Sequence, residues 1–344
     1  MRIAIITVYQ PFTNWGSFLQ AYSLAAYLRE RGHEVKFVYT SNHFHSAVKK
    51  VSRVRPIRSY ILRVKQVYWA IRDLNLLSFV NQELLSLSKF DLCIVGSDEI
   101  WNITNKFFCR PLFFGGKCEN VPTIAYAVSA GHATIDDFLI YSHVTRSINT
   151  FKAVFARDVH TAHILQYQFK IDTHRVVDPT LLVDIKTITR PIPLPKHKYL
   201  LVYSYGFDNH ITDVVVNFAR NRNLRIISPF FWHHWADQVI ECSALQFSTL
   251  VAGAEYVFTT TFHGAIIALI NHSKCAILPL REKVADLCML LGVSNRLISE
   301  NCNLRDFEST ISIPFPVLQF EDTLQKLRAD SRAMLDNEIN KLNL

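Results

Sequence analysis

A chain of 344 residues with 49% apolar and 19% charged side chains is long enough for two cores and too apolar to be intrinsically disordered, since single cores stop growing beyond ~250 to 300 residues. Its ten glycines give no G-x-G-x-x-G and no G-x-x-x-x-G-K-[ST], which excludes the usual dinucleotide and nucleoside-triphosphate loops. The 37 Lys and Arg exceed the 29 Asp and Glu by 8; that surplus lies wholly between Lys49 and Arg72, where eight cations and no acid occur, and no aromatic repeat or finger motif accompanies it, so a nucleic-acid partner is disfavoured.

Residues 2–9 (R-I-A-I-I-T-V-Y) read as a buried strand, Asn14 to Gly16 as a turn, 17–31 as a helix closed by Gly32, and 35–39 as a second strand. This βαβ unit opens a parallel sheet. In the basic segment Val51, Val54, Ile57, Ile61, Val64, Val67 and Tyr68 recur at helical spacing, broken by Pro56 and followed by Trp69. An amphipathic insertion near 45–75 is expected, either a solvated helix over a core or a contact with an anionic membrane surface or lipid-linked substrate. Apolar runs at 92–95, 123–128, 153–156 and 176–177 continue the first sheet. The stretch 184–198, with Pro191, Pro193 and Pro195, reads as a linker. Strands at 199–203, 224–227, 256–259 and 276–278 then alternate with helices at 211–221, 243–252 and 264–271, and 320–344 forms one or two terminal helices. The expected fold class is α/β, with two similar parallel α/β halves as domains over 1–190 and 195–344. Seven scattered cysteines without C-x-x-C suit reduced thiols and a cytoplasmic protein. No signal peptide or membrane span is predicted.

Ligands of open parallel sheets bind beyond the carboxyl ends of the strands, so the polar residues that follow each strand are the candidates. Gly16 and Ser17 open a helix whose N–H groups suit an anion, or serve as turn and cap. Asp98 and Glu99, after Gly96 and Ser97, offer a base or a ligand for a hydroxyl, or cap a loop. Ser129 follows the next strand. Arg157 can hold an anionic ligand or pair with Asp158. Asp178-Pro179-Thr180 reads as turn chemistry. His263, between Phe262 and Gly264 at the start of a helix, is a general acid or a packed imidazole. His160 with His163, and His43 with His45, lack further ligands at metal spacing.

Taken in order, N-W-G-S-F-L-Q-A-Y from Asn14, G-S-D-E-I-W-N from Gly96, Y-A-V-S-A-G from Tyr126, A-R-D from Ala156, V-D-P-T-L-L from Val177 and T-T-F-H-G-A from Thr260 resemble the motifs of the polysaccharide pyruvyl transferase family. The resemblance implies two Rossmann-like domains facing across a cleft in a GT-B-like arrangement, phosphoenolpyruvate as donor, a sugar as acceptor and a pyruvate ketal as product, with no cofactor and no metal. It implies a role for the His of F-H-G, here His263. Some members carry Arg just before that motif; here the slot is Thr261, which moves anion binding to Arg157, the Ser17 helix end, and Lys283 or Arg281. Asn14, Gly16, Ser17, Ser97, Glu99, Ser129, Arg157, Thr261 and Lys283 are therefore the expected substrate-binding set, with His263 and Asp98 catalytic. In this scheme His263 protonates the donor or neutralises its leaving phosphate, Arg157 clamps an anion and Asp98 receives or orients a hydroxyl. Such sugars are commonly built on a lipid diphosphate, which gives the basic segment a membrane role at the inner face. A nucleotide-sugar glycosyltransferase and a non-catalytic sugar- or anion-binding member are the alternatives.

Overall fold

The computed structural model describes residues 1–10, 14–38, 57–80, 87–116, 118 and 120–342; Lys49, Lys50, Val51, Arg53, Val54, Arg55, His43 and His45 lie outside them. Two wholly parallel sheets organise the chain. β1 (Arg2–Ile6), β2 (Glu34–Phe37), β3 (Leu92–Val95), β4 (Thr123–Val128), β5 (Ala153–Ala156) and β6 (His174–Arg175) lie in the order β2-β1-β3-β4-β5-β6. β7 (Tyr199–Tyr203), β8 (Arg225–Pro229), β9 (Gln238–Ile240), β10 (Tyr256–Thr259) and β11 (Cys275–Ile277) lie in the order β11-β10-β7-β8-β9. β3, β4, β7 and β10 are buried along their whole length, as parallel strands covered on both faces must be, and this is why they read as unbroken apolar runs.

Some elements differ from the sequence reading. The strand expected at 176–177 lies at His174–Arg175, although the Val176 N–H still donates to the Ala156 carbonyl at 2.9 Å. The edge strand β9 was not expected: three half-exposed residues carry too little pattern. The first helix, α1 (Trp15–Glu30), starts ahead of Ser17, with Asn14 as its cap accepting the Ser17 N–H. Among the described residues α2 covers Ile57–Leu74. The principal later helices are α3 (Val159–Phe169), α4 (Pro179–Leu182), α5 (Asn209–Asn221), α6 (Ala244–Ala252), α7 (Phe262–Ile270), α8 (Glu282–Leu290), α9 (Leu304–Ile311) and α10 (Val317–Lys341).

Two helices tie the halves together. α1 is apolar nearly all round, and an all-round apolar helix must be enclosed; it packs on α4 of the first half and on α6 and α7 of the second. α10 returns from the second half to the first, where Arg328 donates to the Leu181 and Val183 carbonyls, Arg332 to the Leu182 carbonyl, and Asp336 receives Arg31 and Tyr27. The strand order reverses between β1 and β3 in one sheet and between β7 and β10 in the other. These switch points open crevices at the carboxyl ends of the strands, and their loops face one another across the domain junction.

Candidate active site

Asp178 lies at the centre. It caps α4 through its own Oδ1, which accepts the Thr180 N–H at 3.0 Å and the Thr180 hydroxyl at 2.7 Å. That leaves Oδ2 for tertiary contacts: Arg157 Nη1 at 2.9 Å, Ser97 Oγ at 3.4 Å and His263 Nε2 at 3.6 Å. Burial alone raises the pKa of such a carboxyl, but His263, Arg157 and the Thr180 N–H outweigh it and hold Asp178 well below the ordinary carboxylate range. Arg157, from the loop after β5, shares its Nη1 with Asp98 Oδ1 at 3.6 Å. Burial opposes the Arg157 charge, yet Asp178, Asp98, Asp158 and Glu99 raise its pKa. Arg157 Nε and Nη2 are buried and have no hydrogen-bond partner among the described residues.

His263 is presented by the first turn of α7. Thr261 caps that helix by accepting the Gly264 N–H at 3.0 Å, which gives the threonine a structural use at the slot where some relatives carry arginine. The imidazole lies between the halves, with Nε2 toward Asp178 and Nδ1 against α1. A Cβ on Gly16 would lie 2.0 Å from Nδ1, so only glycine there lets the ring approach the helix. Among the described residues Nε2 has no hydrogen-bond partner, and its 3.6 Å separation from Asp178 Oδ2 leaves a close electrostatic contact.

A cavity of 430 Å³ opens above this network, lined by Asn14, Asp98, Glu99, Thr261, His263 and Lys283 together with Tyr203, Tyr205 and Arg281. Lys283 and Arg281 come from the start of α8. Both reach across the junction to Glu99, at 2.5 and 3.3 Å. Burial raises the Glu99 pKa, but Lys283, Arg157 and Arg281 outweigh it and lower it to about 2. Phe262 packs against a cation from each half: its ring centroid is 5.3 Å from Lys283 Nζ and 4.6 Å from Arg157 Cζ. A second cavity of 770 Å³ lies beyond the Glu99, Arg281 and Lys283 wall, lined also by His132, His160 and Met289.

Of the expected residues, Asn14, Asp98, Glu99, Thr261, His263 and Lys283 share the first cavity. The others support it from behind. Ser97 is fully buried and holds Asp178; Ser129 is buried, its Oγ accepting the Gly131 N–H; Ser17 receives the Gln10 N–H and donates its hydroxyl to the Asn14 carbonyl. Gly16 is covered by the His263 ring. Arg157 is 4% exposed and lies beneath Phe262, away from the cavity wall. Sequence reasoning missed Asp178 as the organiser, because the D-P-T pattern carries only its turn; Tyr205 and Phe262 lie in segments after strands that it does pick out as candidates, but they are absent from the expected binding set and line the cavity.

The family model of polysaccharide pyruvyl transferases matches residues 14–279. The chain belongs to that family. The matched span contains every residue of the network except Lys283 and Arg281, which lie just beyond it. No curated protein matches this pyruvyl transferase family member in sequence. Solved structures share its architecture: the UDP-GlcNAc 2-epimerase of Neisseria meningitidis, bound to UDP-GlcNAc, superposes with a TM-score of 0.53 at 9% identity over 99% of this chain and 100% of that one. The UDP-GlcNAc 2-epimerase of Methanocaldococcus jannaschii gives 0.53 at 12% identity over 92% and 93%, and the spinosyn forosaminyltransferase SpnP gives 0.50 at 10% over 100% of both chains. At such identities the likeness is one of fold: two Rossmann-like domains in the GT-B arrangement.

Proposed function

We propose that this family member transfers the enolpyruvyl group of phosphoenolpyruvate onto two hydroxyls of one sugar, forming a ketal and releasing phosphate. The observation that carries the reading is the joining, in one cavity, of His263 backed by the Asp178 carboxylate with the cations Lys283 and Arg281. Phosphoenolpyruvate presents a carboxylate and a phosphate, and two cations on a helix start suit both. His263 supplies a proton to the methylene carbon, which makes C2 electrophilic; one sugar hydroxyl adds there, phosphate leaves, and the second hydroxyl closes the ketal. Of the two hydroxyl protons lost, one replaces the proton given to the methyl carbon and the other leaves with phosphate.

Asp98 orients the incoming hydroxyls at the cavity wall. Arg157, buried and already paired, acts as a positioning residue that fixes Asp178 and Asp98, while Lys283 and Arg281 take the donor's charge in place of the arginine absent at Thr261. The neighbouring 770 Å³ cavity gives an acceptor saccharide room. The acceptor is lipid-diphosphate-linked and is met at the cytoplasmic face of the inner membrane, a reading supported by the basic segment 49–72. No helix among the described residues is long and apolar enough to cross a membrane.

The test is incubation with phosphoenolpyruvate and a panel of lipid-linked galactose, glucose and mannosamine acceptors, following phosphate release and a pyruvate-sized mass gain. Both signals together establish the transfer. Thermal stabilisation by a nucleoside diphosphate but not by phosphoenolpyruvate replaces this reading with a nucleotide-sugar glycosyltransferase; donor binding without turnover on any acceptor replaces it with a non-catalytic binder.

A further inference from the structure

We infer that the outward face of α2 is a docking surface for a bilayer of anionic phospholipid. Ile61, Val64, Tyr68 and Ile71 are 54, 49, 55 and 37% exposed, and their spacing places them in one continuous stripe along the helix. The opposite face is the one that packs on the protein. There the Gln66 side-chain amide donates to the Phe230 carbonyl, Ala70 is buried, and Asp73 accepts the Ala244 N–H at 2.8 Å. The helix is therefore fastened to the second half with its apolar stripe turned outward, the reverse of a solvated helix over a core. Four large apolar side chains in one exposed row mark an interaction surface.

Charge selects the occupant. Lys65 and Arg72, both exposed and one heptad apart, flank the stripe on one side, and Arg72 Cζ lies 5.8 and 5.3 Å from the Tyr68 and Trp69 ring centroids. No acid occurs from Lys49 to Arg72 to offset the eight cations. An apolar seam with cations and interfacial aromatics fits a helix lying among anionic headgroups. A second copy of the chain would bring this net positive segment against its own kind, with only Glu241 near Lys65 and Asp73 near Arg72 to offset it. The anchoring face also connects to the cavity: the Phe230 ring meets Trp15 at 4.8 Å, and Trp15 opens α1 beside Asn14. The inference rests on the proposed function only in supplying the surface where a lipid-linked acceptor is met. Vesicle binding is read without turnover, so failure of either is seen separately.

The full chain is sedimented with sucrose-loaded vesicles of phosphatidylglycerol and phosphatidylcholine in equal parts, and with vesicles of phosphatidylcholine alone. Wild type should bind the anionic vesicles and release at high salt, with little binding to the neutral ones. Ile61→Ser/Val64→Ser/Tyr68→Ser should weaken binding at least tenfold, and Lys65→Glu/Arg72→Glu several-fold, with near-ultraviolet circular dichroism unchanged; Val64→Ser alone serves should the triple variant fail to fold. Absence of wild-type binding to anionic vesicles, or wild-type binding by the apolar variants, overturns the inference. So does a wild-type dimer in light scattering that the triple variant abolishes, since the stripe would then be a self-association surface.

Discussion

Asp178 is a carboxylate without exposed surface whose two oxygens are committed to different tasks, one to capping α4 and one to Arg157, Ser97 and His263. Removing one partner of a buried pair leaves the other uncompensated, which costs about 3 to 5 kcal/mol. Asp178→Asn should therefore lower the urea-unfolding free energy by up to about that amount, because Arg157 keeps its charge and only Asp98, at 3.6 Å, and the more distant Asp158 and Glu99 still face it. His263→Ala leaves the Asp178–Arg157 pair intact, so it should cost less stability than Asp178→Asn while reducing turnover about 10²- to 10⁴-fold, the range for a lost general acid. Near-wild-type turnover by a folded His263→Ala protein would remove the imidazole from the mechanism. Glu99 poses a separate question, for it sits on the two cations assigned to the donor. Lys283→Ala should raise the KM for phosphoenolpyruvate at least tenfold with a smaller change in kcat. Glu99→Gln, which removes the charge that holds them, should free Lys283 and Arg281 and lower that KM. An unchanged KM in both variants would exclude these cations from donor binding.

α2 joins the second half through Asp73, whose carboxylate caps the start of α6. Asp73 is 1% exposed and its Oδ1 has no hydrogen-bond partner among the described residues. Burial raises its pKa to about 6, more than the Ala244 N–H and Arg190 lower it. A carboxyl that holds its proton more tightly when folded loses stabilisation as pH rises between its unfolded and folded pKa values, here from about 4 to about 6, and the loss stays in place above. Across that interval the loss grows to about 3 kcal/mol. Asp73→Asn can still accept the Ala244 N–H and should gain on wild type by up to about that amount between pH 4 and pH 7, read as the difference in urea midpoints across that range. A constant difference would mean that Asp73 does not titrate there.

The same element marks the limit of legibility. Helical spacing in residues 57–71 gave the helix, but periodicity alone does not say which face is outward, and only Gln66, Ala70 and Asp73 settle that. Buried strands such as β3 and β10 were readable because full burial requires an unbroken apolar run. β9 was not, because an edge strand of three half-exposed residues has no such requirement. In the site, His263, Asp98 and Glu99 were readable as polar residues after strands. The Asp178 network was not, since its members come from four separate segments that only the tertiary fold assembles.

At the scale of the molecule the cavity exists because two sheets meet with their switch points opposed, and the return of α10 to the first half helps to hold them so. A four-residue helix such as α4 cannot satisfy its own last carbonyls. Arg328 and Arg332 do so from α10, donating to Leu181, Leu182 and Val183, while Ser331 Oγ accepts the Val177 N–H at 3.0 Å. α4 is the helix that Asp178 caps, so α10 grips the far end of the element that carries the site's central carboxylate. Cations at a helix C-terminus also suit its dipole. Arg328→Ala/Arg332→Ala should cost about 1 to 3 kcal/mol for each buried carbonyl left without a partner. It should also lower kcat, because α4 no longer holds Asp178 against His263, while the KM for phosphoenolpyruvate, set by Lys283 and Arg281 on α8, stays near wild type. Thermal denaturation and steady-state kinetics on the same preparation separate these effects. Loss of stability with unchanged kcat would make α10 a strap for the fold alone, and a KM that rises with the fall in kcat would mean that the two halves shift as a unit when α10 loosens.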